Sequence, residues 1–171
     1  LRLGKDLFGG EVEEEIRAIA GKKLISLIQP VKIYHKTKVK STTVKAKVDT
    51  GAGFSSVDTK LAREIGFGKI IDELEKYNIP VIYDSKKDAH EMAVVLEKEL
   101  LPRFDEIVNT HIITNSNGIS LRIAVIITCK IAGEKTDITV NIRDRSQLEY
   151  PMILGKRDMK NFLIEPTITS F

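Results

Sequence analysis

The residues best suited to chemistry are Asp49-Thr50-Gly51-Ala52, which follow a run in which apolar residues alternate with lysines. Two carboxylates about 3 Å apart share one proton because both cannot ionise cheaply, and such a pair can activate water for amide hydrolysis. An Asp at a strand end supplies one of the two carboxylates. The following Thr can hydrogen-bond to a second copy of the motif, and the Gly lets two backbones approach closely. The motif therefore predicts Asp49 as a water-activating carboxylate, with Thr50 and Gly51 completing its turn.

This motif occurs only once in the 171 residues. By itself it is a weak signal, because Asp and Gly both favour turns, and an ordinary β-turn is the simpler alternative. A site with two carboxylates needs a second chain. We therefore predict a homodimer in which Asp49 of each subunit faces the other across a twofold axis.

A second segment of interest is Asn115-Ser116-Asn117-Gly118, which lies between two apolar runs. Asn and Gly both tolerate positive φ, so the pattern predicts a tight β-hairpin. A hairpin placed after the Asp49 turn is able to act as a flap that closes over a substrate. A hairpin with no such role is the simpler alternative.

The elements around these motifs follow from hydrophobic periodicity. Period-two alternation over 24–49, with a turn near Ser41-Thr42, and again over 107–142 predicts strands of a sheet with one solvated face. Apolar residues at three- and four-residue steps predict an α-rich insertion over 59–106, and the same spacing predicts a helix over 11–23 within an N-terminal extension of 1–23. A short helix is predicted over 157–162. We expect one mainly β domain over residues 1–171.

Several separated segments resemble the retropepsin-like aspartic peptidases, and in particular the family known as ATP-dependent zinc proteases, which are often linked with ligases that add glutamates to a ribosomal protein. The likeness covers roughly residues 30–58 and 107–168 and leaves the insertion unmatched. Its segments are 45–52, Ser55-Ser56, the 115–118 hairpin with Arg122, Arg143, the run 152–157, and Ile164-Glu165-Pro166. The chain departs from the family in having Gly53 and Lys156 where the family usually has Arg.

The resemblance implies a retropepsin-like acid-protease barrel and an aspartic-type peptidase activity. It implies a catalytic role for Asp49, Thr50 and Gly51, and substrate contacts from the next residue and the hairpin, namely Ala52, Asn115, Ser116, Asn117 and Gly118. It also implies support of the site by Ile153, Leu154, Gly155 and Arg157. A dimeric peptide-binding module that cleaves nothing is the alternative, because the long insertion is able to cover the groove.

The sequence predicts no metal and no cofactor. Cys129 is the only cysteine, so no cysteine-based metal cluster can form. His90-Glu91 has the first half of a zinc-protease helix motif without its second histidine, and the three histidines are widely spaced. No glycine-rich phosphate-binding loop occurs, so any dependence on ATP would have to come from a partner protein.

Charge and hydropathy limit the partners. A net charge of +3 is too small to indicate nucleic-acid binding, and no run approaches the roughly 18 apolar residues of a membrane span. Cys129 within an apolar run favours a reducing compartment, so we expect a cytoplasmic protein. Lysines 36, 38, 40, 45 and 47 are most simply a solvated sheet face. Attraction of an acidic peptide or protein substrate is the alternative for them.

Overall fold

The computed structural model describes residues 19–170. Its strands are β1 (Lys23–Tyr34), β2 (Ser41–Asp49), β3 (Ser55–Asp58), β4 (Ile107–Asn115), β5 (Gly118–Ile131), β6 (Glu134–Arg143), β7 (Met152–Gly155) and β8 (Phe162–Ser170). Its helices are α1 (Thr59–Ala62), α2 (Gly68–Glu75) and α3 (Lys86–Leu100). A π-helical turn over Arg63–Phe67 joins α1 to α2, and a 3-10 turn over Lys156–Asp158 follows β7.

The strands form one sheet in the order β4-β5-β6-β3-β7-β2-β1-β8. An additional antiparallel pairing of β1 with β5, with Ile33 opposite Cys129, closes six of these strands into a barrel. The remaining two strands, β4 and β8, continue the sheet beyond the closure. This architecture confirms the predicted fold class, a mainly β barrel with inserted helices.

The barrel interior is filled by the apolar side chains that the period-two alternation predicts. Val31, Val125 and Val140 come from three different strands and have no exposed surface. Such burial is the main favourable contribution to folding. Cys129 is also fully buried, and its burial raises the pKa of the thiol to about 12. The thiol therefore stays protonated and unreactive at neutral pH.

The helices lie between β3 and β4, within the region predicted to be α-rich. Helix α3 is capped at its N-terminus by Ser85, whose hydroxyl oxygen accepts a hydrogen bond from the Asp88 amide at 3.1 Å. Its inward face carries buried Ala89, Ala93, Leu96 and Leu100. Lys36, in the turn between β1 and β2, pairs with Glu106, and its amide donates to the Ile65 carbonyl at 2.9 Å. The insertion is thus attached to the barrel at that turn.

Two local predictions were wrong. The β1–β2 turn occupies 35–40, before Ser41, because the His35 amide bonds the Lys40 carbonyl at 2.8 Å and Lys38 adopts a φ of 58°. Of the five lysines, only Lys45 and Lys47 therefore alternate along a strand. The segment 157–162 contains the end of the 3-10 turn over Lys156–Asp158 and the start of β8 instead of a helix.

Most of the helix predicted over 11–23 lies outside the described residues. Within 19–170, no helix has the length and apolar character needed to cross a bilayer.

Candidate active site at the Asp49 turn

Asp49 is the last residue of β2, where β2 pairs in parallel with β7 and Asp49 lies opposite Gly155. Its Oδ1 accepts hydrogen bonds from the amides of Gly51 at 3.0 Å and Ala52 at 3.2 Å. Both bonds use one oxygen of the carboxylate, so they fix its orientation. Asp49 is half-buried, whereas Thr50 and Gly51 are exposed. The predicted catalytic turn therefore presents an oriented carboxylate at the surface of the barrel.

Gly155 packs tightly against the backbone that follows the Asp49 turn. A Cβ at this position would lie 2.4 Å from the carbonyl carbon of Phe54 and 2.8 Å from the amide nitrogen of Ser55. Only glycine allows two backbones to pass so closely. The Gly155 amide donates to the Ser55 hydroxyl at 3.0 Å, and that hydroxyl donates to Asp158 at 2.5 Å. The Lys156 amide donates to the Ala52 carbonyl at 2.9 Å.

The other predicted supporting residues lie along the same junction. Leu154 is buried beside Val48, and Ile153 is half-buried opposite Lys47. The Arg157 guanidinium lies 4.1 Å from the centroid of the Phe54 ring. Each of these four positions, Ile153, Leu154, Gly155 and Arg157, thus contacts or pairs with the strand or loop next to Asp49.

Phe54 also stacks on His111 of β4, with ring centroids 3.9 Å apart. Burial lowers the pKa of His111, and the positive charges of Arg157 and Arg122 lower it further. A lowered pKa means that the neutral imidazole predominates at physiological pH. The stack joins the loop after the Asp49 turn to the base of the predicted flap.

The predicted flap is the β4–β5 hairpin, with Asn115 opposite Gly118 across a turn at Ser116 and Asn117. The Asn115 side chain accepts from the Asn117 amide at 2.9 Å. Of the hairpin residues expected to adopt positive φ, only Gly118 has it, with a φ of 114°. The hairpin is confirmed as structure, and its role as a flap stays a prediction.

The hairpin tip is held by the insertion. The Tyr83 amide donates to the Ile119 carbonyl at 2.8 Å, forming an isolated bridge. A Cβ on Gly118 would lie 2.8 Å from Cγ2 of Ile82. Within the part of the chain that the structure describes, no hydrogen bond joins the tip to the Asp49 turn. The hairpin tip and the Asp49 turn are therefore not directly hydrogen-bonded to each other among the described residues.

A buried polar network lies between the hairpin and the Asp49 loop. Arg122 of β5 donates from Nη1 to the Asn141 side chain at 3.1 Å, and Asn141 donates to the Ser55 carbonyl at 3.2 Å. Asn141 is 1% exposed. Sequence reasoning did not identify Asn141, Phe54 or Asp158. The signal for Asn141 was a single amide between Val140 and Ile142 in an otherwise apolar stretch.

Asp58 organises the other side of the site. Its carboxylate caps α1 by accepting from the Lys60 amide at 2.9 Å, and it accepts from the Arg145 amide at 2.7 Å. Arg145 Nε in turn donates to the Tyr150 carbonyl at 3.0 Å. Burial lowers the pKa of Arg145, and so does Arg143, whereas the charges of Asp58 and Asp49 raise it. Arg145 is thus a buried cation within electrostatic range of Asp49.

The three histidines lie on separate elements: His35 follows β1, His90 is in α3 and His111 is in β4. His35 hydrogen-bonds through Nε2 to the Thr42 hydroxyl at 2.7 Å. Among residues 19–170, no group of three His, Cys, Asp or Glu side chains is placed to hold a metal ion.

Comparison with known proteins gives distant structural likenesses. No family profile matches the chain, and no curated protein matches it. A protein of unknown function from Legionella pneumophila has 15% identity and a TM-score of 0.45, with 86% of this chain and 96% of that chain covered. The retroviral protease-like domain of Ddi1 from Leishmania major has 16% identity and a TM-score of 0.39, with 78% and 72% covered. The simian foamy virus protease has 18% identity and a TM-score of 0.36, with 77% and 91% covered.

Likenesses this distant say nothing about activity or substrate. The closed six-stranded barrel is established by the strand pairing itself. The narrower resemblance to the ATP-dependent zinc protease family stays a prediction.

Proposed function

We propose that this chain is an aspartic-type peptidase that acts as a homodimer, with Asp49 of each subunit activating one water molecule. The observation that carries the proposal is the Asp49 turn itself. A carboxylate is oriented by two backbone amides at a strand end, and Thr50 and Gly51 beside it are exposed. Because the chain has only one such motif, a twofold-related copy must supply the second carboxylate.

In this mechanism the two carboxylates share one proton. The ionised carboxylate takes a proton from water, which attacks the peptide carbonyl carbon, while the protonated one gives its proton to the carbonyl oxygen. The resulting diol then collapses: the ionised carboxylate takes a proton from one hydroxyl group, the carbon–nitrogen bond breaks, and the protonated carboxylic acid gives its proton to the leaving nitrogen. Thr50 and Gly51 are proposed to contact the partner turn, and Ala52 and the 115–118 hairpin are proposed to contact the substrate.

A first prediction concerns assembly. Analytical ultracentrifugation of the purified chain should show a monomer–dimer equilibrium, with peptidase activity per chain rising as the dimer fraction rises. The reason is that each monomer contributes only one carboxylate to the site. A chain that stays monomeric at the highest soluble concentration and yet cleaves peptides would contradict the proposed mechanism.

A peptide-binding module without catalysis is the second candidate, and one observation favours it: the insertion bonds to the tip of the hairpin through Tyr83 and Ile119. A tethered hairpin cannot open freely for a substrate. Ile82→Ala removes the side chain that packs on Gly118. If the tether limits a peptidase, this variant should cleave a test peptide severalfold faster than the wild type. The exposed Val94→Ala, on α3, is the matched control.

For a module that cleaves nothing, both variants and the wild type should be inactive from about pH 3 to pH 8 while still binding peptide.

A further inference from the structure

A large cavity lies between the insertion and the strands β5 and β6. Its volume is ≈ 630 Å³, which is within the usual range for ligand sites. Most of its lining surface is apolar, with Ile71 and Leu74 of α2, the segment 79–82 and Leu121 contributing to the walls. Asn115, Asn117 and Gly118 of the hairpin also line it. The cavity is therefore adjacent to the part of the molecule predicted to contact substrate.

Two arginines, Arg122 and Arg143, line this apolar cavity. Arg122 donates to the Ser120 hydroxyl at 3.2 Å and to the Asn141 side chain at 3.1 Å, and both acceptors are neutral. Among the described residues, neither arginine lies within ion-pairing distance of a carboxylate, whereas Arg63 on the insertion pairs with both Asp72 and Glu75. A half-buried guanidinium without an acidic partner is uncommon, because burying an unpaired charge is costly.

The electrostatics of Arg122 and its neighbouring arginines also favour a bound anion. Burial lowers the pKa of Arg122 to about 10, and the charges of Arg143 and Arg145 contribute to this shift. Arg122 therefore still carries its charge at neutral pH, but in an environment that disfavours it. An anion in the cavity would offset the cost of burying the Arg122 charge and would reduce the mutual repulsion of the arginines.

The carboxylates on the cavity wall do not satisfy Arg122. Glu75 is bound by Arg63 at 2.7 Å, and Asp144 is exposed and accepts from the Ser146 amide at 2.9 Å. Arg122 is also connected to the candidate active site, since Asn141 bridges it to the carbonyl of Ser55, four residues after Gly51. A group bound by Arg122 would thus be fixed relative to the Asp49 turn.

We propose that this cavity is a specificity site for an acidic side chain of an extended peptide, with Arg122 and Arg143 binding its carboxylate and the apolar walls holding a neighbouring apolar side chain. This inference rests on the proposed function, because it assigns part of the substrate of the same site. Charge complementarity selects the occupant: two arginines without an ion-paired carboxylate line the cavity, and most of the remaining lining is apolar. Arg122 makes the direct contact because its planar guanidinium matches a carboxylate with two parallel hydrogen bonds.

Binding can be tested apart from cleavage in the Asp49→Asn variant, which keeps an oxygen to accept the turn amides. The probes are three fluorescent octapeptides, all acetylated. The first has Glu between Ile and Leu and an amidated C-terminus, the second has Gln in place of Glu, and the third is the Gln peptide with a free C-terminus. Fluorescence anisotropy should show the Glu peptide binding at least about tenfold more tightly than either Gln peptide.

Arg122→Gln keeps a side chain able to hydrogen-bond Asn141 and should abolish the preference for Glu, as should Arg143→Gln in large part. Lys130→Gln removes an equal charge from an exposed position of β5 and should keep the preference. Circular dichroism of each variant establishes that it is folded.

Equal binding of Glu and Gln peptides, no binding of any peptide, binding that requires the free C-terminus, or an unchanged preference in folded Arg122→Gln would each overturn the proposal. Cleavage by the wild type is measured separately with the same peptides. A Glu preference in binding without any cleavage would sustain the specificity site and sink the peptidase. Cleavage of both amidated peptides at equal rates would sustain the peptidase and sink the specificity site.

Discussion

Asp49→Asn should lower peptide hydrolysis by a factor on the order of 10²–10⁴ while leaving the fold intact. The substitution removes both carboxylates of the dimeric site, since each subunit contributes one. It preserves an oxygen that can accept from the amides of Gly51 and Ala52, so the turn should keep its shape. The measurement is the initial rate of cleavage of a fluorogenic peptide library, alongside the urea midpoint of each protein.

Asp105→Asn is the matched control, because Asp105 is exposed and distant in sequence from the turn. It should cleave at the wild-type rate. A sharper test mixes equal amounts of wild type and Asp49→Asn under conditions of subunit exchange. The activity is compared with that of wild type at the same total chain concentration. If heterodimers with one carboxylate are inactive, about a quarter of that activity should remain, whereas subunits that act independently would leave about half. Retention of about half of the activity would contradict a site shared by two subunits.

Gly155→Ala should be the most destabilising single methyl addition near the site. Its Cβ would overlap the backbone of Phe54 and Ser55, at 2.4 Å and 2.8 Å, and backbone cannot move aside as a flexible side chain can. We expect a loss of about 3 kcal/mol in the free energy of unfolding, a large share of the stability of an ordinary domain. Urea denaturation followed by circular dichroism measures it. Peptidase activity should fall as well, because the Asp49 turn rests on this contact.

Gly53→Ala is the control for that experiment. A Cβ at Gly53 would meet nothing within 4 Å. Both substitutions reduce the freedom of the unfolded chain to a similar extent, so the difference between them isolates the steric overlap. Gly53→Ala should change the free energy of unfolding by no more than about 0.5 kcal/mol. Equal stabilities for the two variants would mean that the backbone crossing at Gly155 is looser than the structure has it.

The sequence was most informative where local chemistry determines the structure. Period-two alternation predicted the strands around Asp49 because one face of each strand is buried, and Asn-Gly predicted the 115–118 hairpin because Gly118 needs positive φ. The same period-two pattern gave a wrong prediction for the Lys36–Lys40 segment. Lysines and β-branched residues alternate there, but the chain turns, and alternation alone does not distinguish a strand from a polar turn.

What the sequence did not predict depends on contacts between distant residues. The Asn141 bridge between Arg122 and Ser55 and the contacts of Phe54 with His111 and Arg157 join segments whose proximity follows only from barrel closure. The hold of Ile82 and Tyr83 on the hairpin tip is of the same kind. The roles of Asp49 and the other candidate site residues stay predictions until the variants are assayed.

Strand order also sets the timing of folding. Gly155 bonds the Ser55 side chain across a separation of 100 residues, and Lys23 at the start of β1 lies opposite Phe162 of β8. Pairings between such distant residues require large loops to close, and the entropy cost of closure comes before the favourable contacts form. Folding should therefore be slow. During synthesis the Asp49 turn must wait for its partner β7, which lies far along the chain from β2. A chain that stops before β7 therefore lacks the Gly155 contact that supports the Asp49 turn, and the proposed hydrolysis would begin only after the barrel has closed.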